Sequence, residues 1–198
     1  MTKHFGCATR HPPPGQPRHN PVVERKVGIA LQGISCSLLT AGFPNVFWPM
    51  VGHAFAVNYT VSHLDKESRC AYEKIHGPVT FELFIPGELV FFKPAPTIVS
   101  CTVAKAESNL IAGIMLDYYM GPDGKSTGQY ICLSLLDFVG KSLHARVERQ
   151  HFKLRLHRTE ILRRPASAPH LVFLLKRKYV ASNFTLEGLE KQALTKVT

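Results

Sequence analysis

Ile111-Ala-Gly-Ile-Met-Leu-Asp-Tyr-Tyr-Met-Gly121-Pro-Asp-Gly124-Lys-Ser-Thr-Gly-Gln129-Tyr-Ile-Cys-Leu-Ser-Leu135 decides the fold class. Two runs of apolar, β-branched and aromatic residues flank a Gly-Pro-Asp-Gly turn, which predicts an antiparallel hairpin. Upstream, Glu88-Leu-Val-Phe-Phe-Lys93 reads as a further strand, and downstream Arg146 to Leu156 alternates in character. Four or five short strands within roughly 75 residues predict a small β-barrel of the SH3-like kind.

Ahead of the strands the period changes. From Pro21, residues Val23, Val27, Leu31, Ile34 and Leu38 recur every three or four positions and form one apolar stripe. Pro21 suits a helix start, Asn20 can cap it, and Gly42-Phe-Pro44 stops it. A second helix follows from Val46 to Tyr59, with Phe47, Trp48, Val51, Phe55 and Asn58 at helical spacing and with Phe47 and Trp48 expected in its core. The two helices form a hairpin so apolar that it needs a partner surface. Before Pro21 the chain is Pro-rich and irregular, and it has no apolar run of the kind a secretory signal needs. The predicted class is therefore α+β. It comprises a leader (1–19), a helical hairpin region (20–77), a small barrel (78–162) and a basic flexible tail (163–198).

The 198 residues, 45% of them hydrophobic, are ordinary for a globular chain, and no apolar run reaches the length of a membrane span. Five scattered cysteines without a CxxC argue against a disulfide framework and fit free thiols inside the cell. The net charge of +10 is unevenly placed: residues 141–198 hold 13 Lys/Arg against 4 Asp/Glu. That block attracts polyanions, nucleic acid ahead of membrane. Arg146, Arg149, Lys153, Arg155 and Arg158, followed by Arg163 and Arg164, are the expected DNA contacts, and alternation places Arg149, His151, Lys153 and Arg155 on one strand face. His144, His151 and His157 are expected to add pH-dependent positive charge. His4, Cys7, His11 and His19 lack zinc-finger spacing and read as part of the leader.

Taken in order, Asn20-Pro-Val-Val-Glu24-Arg25, Leu38-Leu-Thr-Ala-Gly-Phe-Pro-Asn-Val-Phe-Trp48, Ala56-Val-Asn-Tyr59, Ala71-Tyr-Glu-Lys-Ile-His-Gly77 and Ala112-Gly-Ile-Met-Leu-Asp-Tyr118 resemble the C-terminal part of a copia-type retrotransposon integrase. Gly124-Lys, Gly128-Gln-Tyr-Ile and Leu156-His-Arg-Thr-Glu160 continue the likeness, which covers about residues 20–162. The resemblance implies that the hairpin is the end of an RNase H-like catalytic core. Glu24 would be the third acid of an Asp, Asp, Glu triad that holds Mg²⁺ or Mn²⁺, with Arg25 and Lys26 beside it on the DNA. It also implies other integrase subunits as partners and, with Lys176-Arg-Lys178, a nuclear or cytoplasmic rather than secreted protein.

Taken by itself, Glu24 could equally be a first-turn acid that complements the helix dipole. No aspartate precedes it in the sequence, and one carboxylate cannot hold two Mg²⁺ ions, so the chain alone is expected to lack strand-transfer activity. Asp117 departs from the family's strand, which often has glycine there, and could mark a decayed copy. A non-enzymatic SH3-like interaction module and a decayed transposon relic are the alternatives.

Overall fold

The computed structural model describes residues 21–94, 110–139, 154–166 and 171–176. Helix α1 (Pro21–Ala41) runs to the Gly42 stop. A 3₁₀ turn (Asn45–Phe47) then leads into α2 (Trp48–Ser62), and a short α3 (Ala71–His76) follows. The strands are β1 (Leu89–Phe92), β2 (Ile111–Met120), β3 (Ser126–Ser134), β4 (Leu156–Thr159) and β5 (Leu162–Arg163), with a 3₁₀ turn (Leu135–Phe138) after β3. The fold is thus α+β.

All strand pairs are antiparallel, and the sheet order is β4-β3-β2-β1-β5. This order forces curvature. β4 and β5 sit at opposite edges, yet Thr159 and Leu162 are three residues apart and reach at most about 11 Å. A flat sheet would separate its outer strands by about 19 Å, four spacings of roughly 4.8 Å. The sheet therefore curls until its edges approach, and two register shifts in the β2–β3 ladder (Met115/Asp117 and Tyr119/Met120) accommodate the bend.

Curling produces two apolar layers. Inside lie Val90, Phe92, Met115, Tyr118, Tyr130, Cys132 and Leu162, with Ala54 and Val57 of α2 and Phe84 of the irregular segment between α3 and β1 (77–88). Burial in this layer pushes the Cys132 thiol up, so it stays protonated and inert. On the other face Ile114, Leu116 and Leu133 meet Ile34, Leu38 and Ala41 of α1 and Phe47 and Val51 of α2. The hairpin does need a partner surface, and this chain's own sheet supplies one. The described parts of 20–77 and 78–162 consequently share a core.

The apolar stripe of α1 is longer than its partner. Ile34 and Leu38 are buried, whereas Val27 and Leu31 remain 50% and 49% exposed. In α2 the inward residues are Val51, Ala54 and Val57. The expectation that Trp48 is core is corrected: Phe47 is buried in the preceding turn, but Trp48 is 46% exposed. Gly33 lets the helices approach, since a Cβ there would lie 2.0 Å from the Phe55 ring. Gly42 is required twice over: its φ is +73°, and a Cβ would meet the Lys176 backbone at 2.6 Å.

That contact revises the tail. β5 begins at Leu162 and pairs with β1, Leu89 N–H donates to Val172 O at 2.8 Å, and Leu175 is fully buried. Arg163, Arg164 and residues 171–176 therefore belong to the folded body.

Two tyrosine hydroxyls fix the irregular segment across the inner layer. Phe84 N–H donates to Tyr118 Oη (2.8 Å), the hydroxyl donates to Asn58 Oδ1 (2.7 Å), and Asn58 Nδ2 donates to Phe84 O (2.9 Å), a closed ring of bonds. Tyr130 Oη accepts from Glu82 N–H (3.1 Å) and donates to Glu82 O (3.2 Å). Burial raises the pKa of both phenols, keeping them protonated and able to donate. Tyr118→Phe leaves the buried Phe84 N–H and Asn58 Oδ1 unpaired and should cost about 2 kcal/mol. Urea denaturation checks this; a change below about 0.5 kcal/mol would contradict the ring's role.

Candidate nucleic-acid interface

Only part of the expected basic set falls within the described residues. Arg146, Arg149, Lys153 and His151 lie outside the described residues, as do His144 and the leader's His4, Cys7, His11 and His19. Of the rest, Arg155 and Arg158 belong to the β4 region, Arg163 ends β5 and Arg164 follows it, and Arg25 and Lys26 belong to the start of α1.

β4 alternates outward and inward: Arg158 is exposed, while His157 and Thr159 are buried. Arg158 stands on an organised patch. Its guanidinium lies 3.6 Å from the centre of the Tyr119 ring, and its Nε donates to Gln129 Oε1. Gln129 Nε2 in turn donates to Glu160 Oε1 at 2.8 Å. The register explains the grouping, because Tyr119 is opposite Gln129 and Ile131 is opposite Arg158 on the outward face. The Arg155 side chain is also exposed, and its N–H donates to Asp137 Oδ2 at 3.2 Å. On β5, Arg163 points outward while Leu162 points into the core. Arg155, Arg158 and Arg163 thus carry exposed positive charge with no ion-pair partner among the described residues.

Arg164 differs from these three. Its Nε donates to Glu88 Oε1 at 2.6 Å, Nη1 to Glu82, and Nη2 to Leu83 O at 2.6 Å, while its Cζ sits 4.3 Å from the centre of the Phe84 ring. Glu88 is 1% exposed, so its carboxylate relies on Arg164 for charge compensation. Arg164 is a clasp between β5 and the irregular segment, and it leaves the set available to DNA.

His157 is corrected as well. It is buried beside Phe92, ring centres 5.1 Å apart, and its Nδ1 has no partner among the described residues. Burial holds its pKa below 6.5, so it does not contribute the positive charge its position in the basic run suggested.

At the far end of the hairpin, Arg25 and Lys26 line an open cleft of about 560 Å³ with Pro21, Val22, Ile29, Tyr59 and His63. The Tyr59 and His63 rings stack at 4.1 Å, and Lys26 Nζ lies 5.8 Å from the Tyr59 ring. Glu24 is exposed in the first turn of α1 and does not line the cleft. No group of three His, Cys, Asp or Glu that could hold a metal occurs among the described residues. Glu24 alone does not meet the ligand needs of Mg²⁺ or Mn²⁺.

Sequence reasoning missed one pair of ionisable residues. Asp117, at the first register shift of β2, accepts from His53 Nδ1 of α2 at 2.7 Å and from Tyr118 N–H at 2.8 Å. The residue that departs from the integrase pattern is therefore satisfied by a helix partner within this fold. The hydrogen bond and charge of Asp117 raise the His53 pKa above 6.5, against a smaller opposing effect of burial. A raised folded-state pKa means the contribution is complete below the unfolded value of 6.5 and is lost as pH rises through the folded value. His157, whose pKa is lowered, acts in the opposite sense and loses its contribution as pH falls. The difference between wild type and His53→Gln isolates the first effect. Wild type should be the more stable below about pH 6.5, with the gap narrowing as pH rises above it. A gap that widens with pH would contradict the assignment.

Comparison with protein-family models, with curated proteins and with solved structures returns no match. No helix among the described residues is long and apolar enough to cross a membrane.

Proposed function

We propose that this chain is the C-terminal part of a copia-type retrotransposon integrase and acts as a DNA-binding unit, without strand-transfer activity by itself. The observation that carries the reading is that Arg155, just before β4, and Arg158 and Arg163, on β4 and β5 of a small curled sheet, are exposed, with no carboxylate ion-paired to them among the described residues. Sequence places Arg146, Arg149 and Lys153 just before them. Exposed cations on a fixed scaffold, without a base-reading motif, suit contacts to the phosphate backbone.

The finer fold belongs to the same proposal. Strand order β4-β3-β2-β1-β5, with a two-residue corner joining the outer strands, supports an SH3-like barrel. The α1–α2 hairpin, with Glu24, Arg25 and Lys26 in its opening turns, corresponds to the end of an RNase H-like core. Glu24 would serve as an acid for Mg²⁺ or Mn²⁺ only where the other two acids are supplied. Val27 and Leu31, exposed on α1, favour a protein partner for that end, with other integrase subunits as the family's candidates. A nuclear or cytoplasmic site of action follows from the same resemblance.

Titration of a labelled duplex of arbitrary sequence with the purified chain tests the reading. Binding in the micromolar range or tighter at low salt is the expected result. A folded sample that binds no duplex would overturn it and leave the interaction-module or relic reading.

A further inference from the structure

Arg158 is more constrained than a phosphate contact requires. Its guanidinium lies flat enough against Tyr119 to bring Cζ within 3.6 Å of the ring centre, and Gln129, itself held by Glu160, fixes its Nε. A cation needed only for charge could sit on a free side chain, as Lys does. Here a planar group is held in one orientation on an exposed strand, while Tyr119 keeps 36% of its own surface exposed. Nucleobases stack on guanidinium planes and aromatic faces alike, and such stacking needs bases that are not already paired in a duplex. Four N–H donors of Arg158 beyond Nε stay available, at the rim of the stack, for the edge of a base or the adjoining phosphate.

We infer that the Tyr119–Arg158 stack, buttressed by Gln129 and Glu160, is a platform for an unpaired base, so that the protein favours nucleic acid with single-stranded or frayed segments over a fully paired duplex. The inference rests on the DNA-binding reading and narrows its ligand. A base on the outer face of the guanidinium would extend a two-layer stack to three.

The test compares a single-stranded oligonucleotide with a blunt duplex of equal length at one salt concentration, for wild type, Arg158→Lys and Tyr119→Leu. Lysine preserves the charge but not the plane, and both positions are on the surface, so thermal melting should confirm that the variants fold. Wild type should prefer the single strand. Each variant should lose about tenfold in single-strand affinity, the scale of one stacked base. Duplex affinity of Arg158→Lys should stay within about twofold, because its phosphate charge persists. An unchanged single-strand to duplex ratio in Arg158→Lys and Tyr119→Leu would overturn the platform while leaving DNA binding intact. Absence of binding to either nucleic acid by folded wild type would overturn the DNA-binding reading itself.

Discussion

Arg164→Ala should be the most damaging single substitution among the basic residues, lowering stability by about 3 kcal/mol. The cause is Glu88, which is 1% exposed and depends on the guanidinium bond at 2.6 Å. Removing the arginine leaves a carboxylate out of water with, among the described residues, only the Ile85 N–H, at 3.1 Å, still donating to it. It also frees the Leu83 carbonyl and uncovers the Phe84 ring. In a protein of this size such a loss lowers the melting temperature by about 6 to 12 °C. The double variant Arg164→Ala/Glu88→Gln should recover part of the loss, since a neutral amide costs less to bury than an unpaired charge. A drop below about 1 kcal/mol, with no recovery in the double variant, would show that Arg164 is not the clasp described here.

Neutralising Arg155, Arg158 and Arg163 together to glutamine should have the opposite profile, leaving the fold intact while DNA affinity collapses. All three are exposed, and none is ion-paired with a carboxylate among the described residues, so the stability cost should remain within about 1 kcal/mol. Each phosphate contact contributes about 0.9 to the slope of log affinity against log salt. Losing three should therefore flatten that slope by roughly 2 to 3 and weaken low-salt binding by about a hundredfold. Equal affinity and slope in wild type and triple variant would move the interface away from this face, to the α1 cleft or the segment containing Arg146, Arg149 and Lys153.

The contrast between Arg163 and Arg164 shows where a sequence stops being informative. Adjacent in a basic run, they look alike, and only the pairing of Leu162 with Phe92 decides which one turns back to Glu88. The β2–β3 hairpin was legible because its signal is local: Gly124 has a φ of +77° and Gly121 N–H donates to Lys125 O at 2.8 Å. Helices α1 and α2 were legible from period and from Gly42-Phe-Pro44. Helix α3 was missed because its cap is a cysteine: Cys70 Sγ accepts from Glu73 N–H at 3.3 Å, and Glu73 Oε2 accepts from Cys70 N–H at 3.0 Å. Read as a capping box with cysteine in place of serine, Cys-Ala-Tyr-Glu would have revealed it.

Non-local features were the least legible. Nothing in the hairpin's own residues says that Ile34 and Val51 meet Ile114 and Leu133, and the spacing of His53 and Asp117 (64 positions) hides their bond. His157 reads as one more basic residue until alternation within β4 is tied to a buried side. The same register brings Tyr119, Gln129 and Arg158 together from three strands, which no linear motif records.

The most direct test of DNA binding is fluorescence anisotropy of a labelled duplex of arbitrary sequence, titrated with the full chain at salt concentrations from about 50 to 300 mM. The proposed reading assigns about six phosphate contacts, to Arg146, Arg149, Lys153, Arg155, Arg158 and Arg163, and so predicts that log affinity falls linearly with log salt at a slope near −5. A folded protein whose affinity for the duplex is absent at low salt, or is unaffected by salt, would contradict DNA binding through this basic surface.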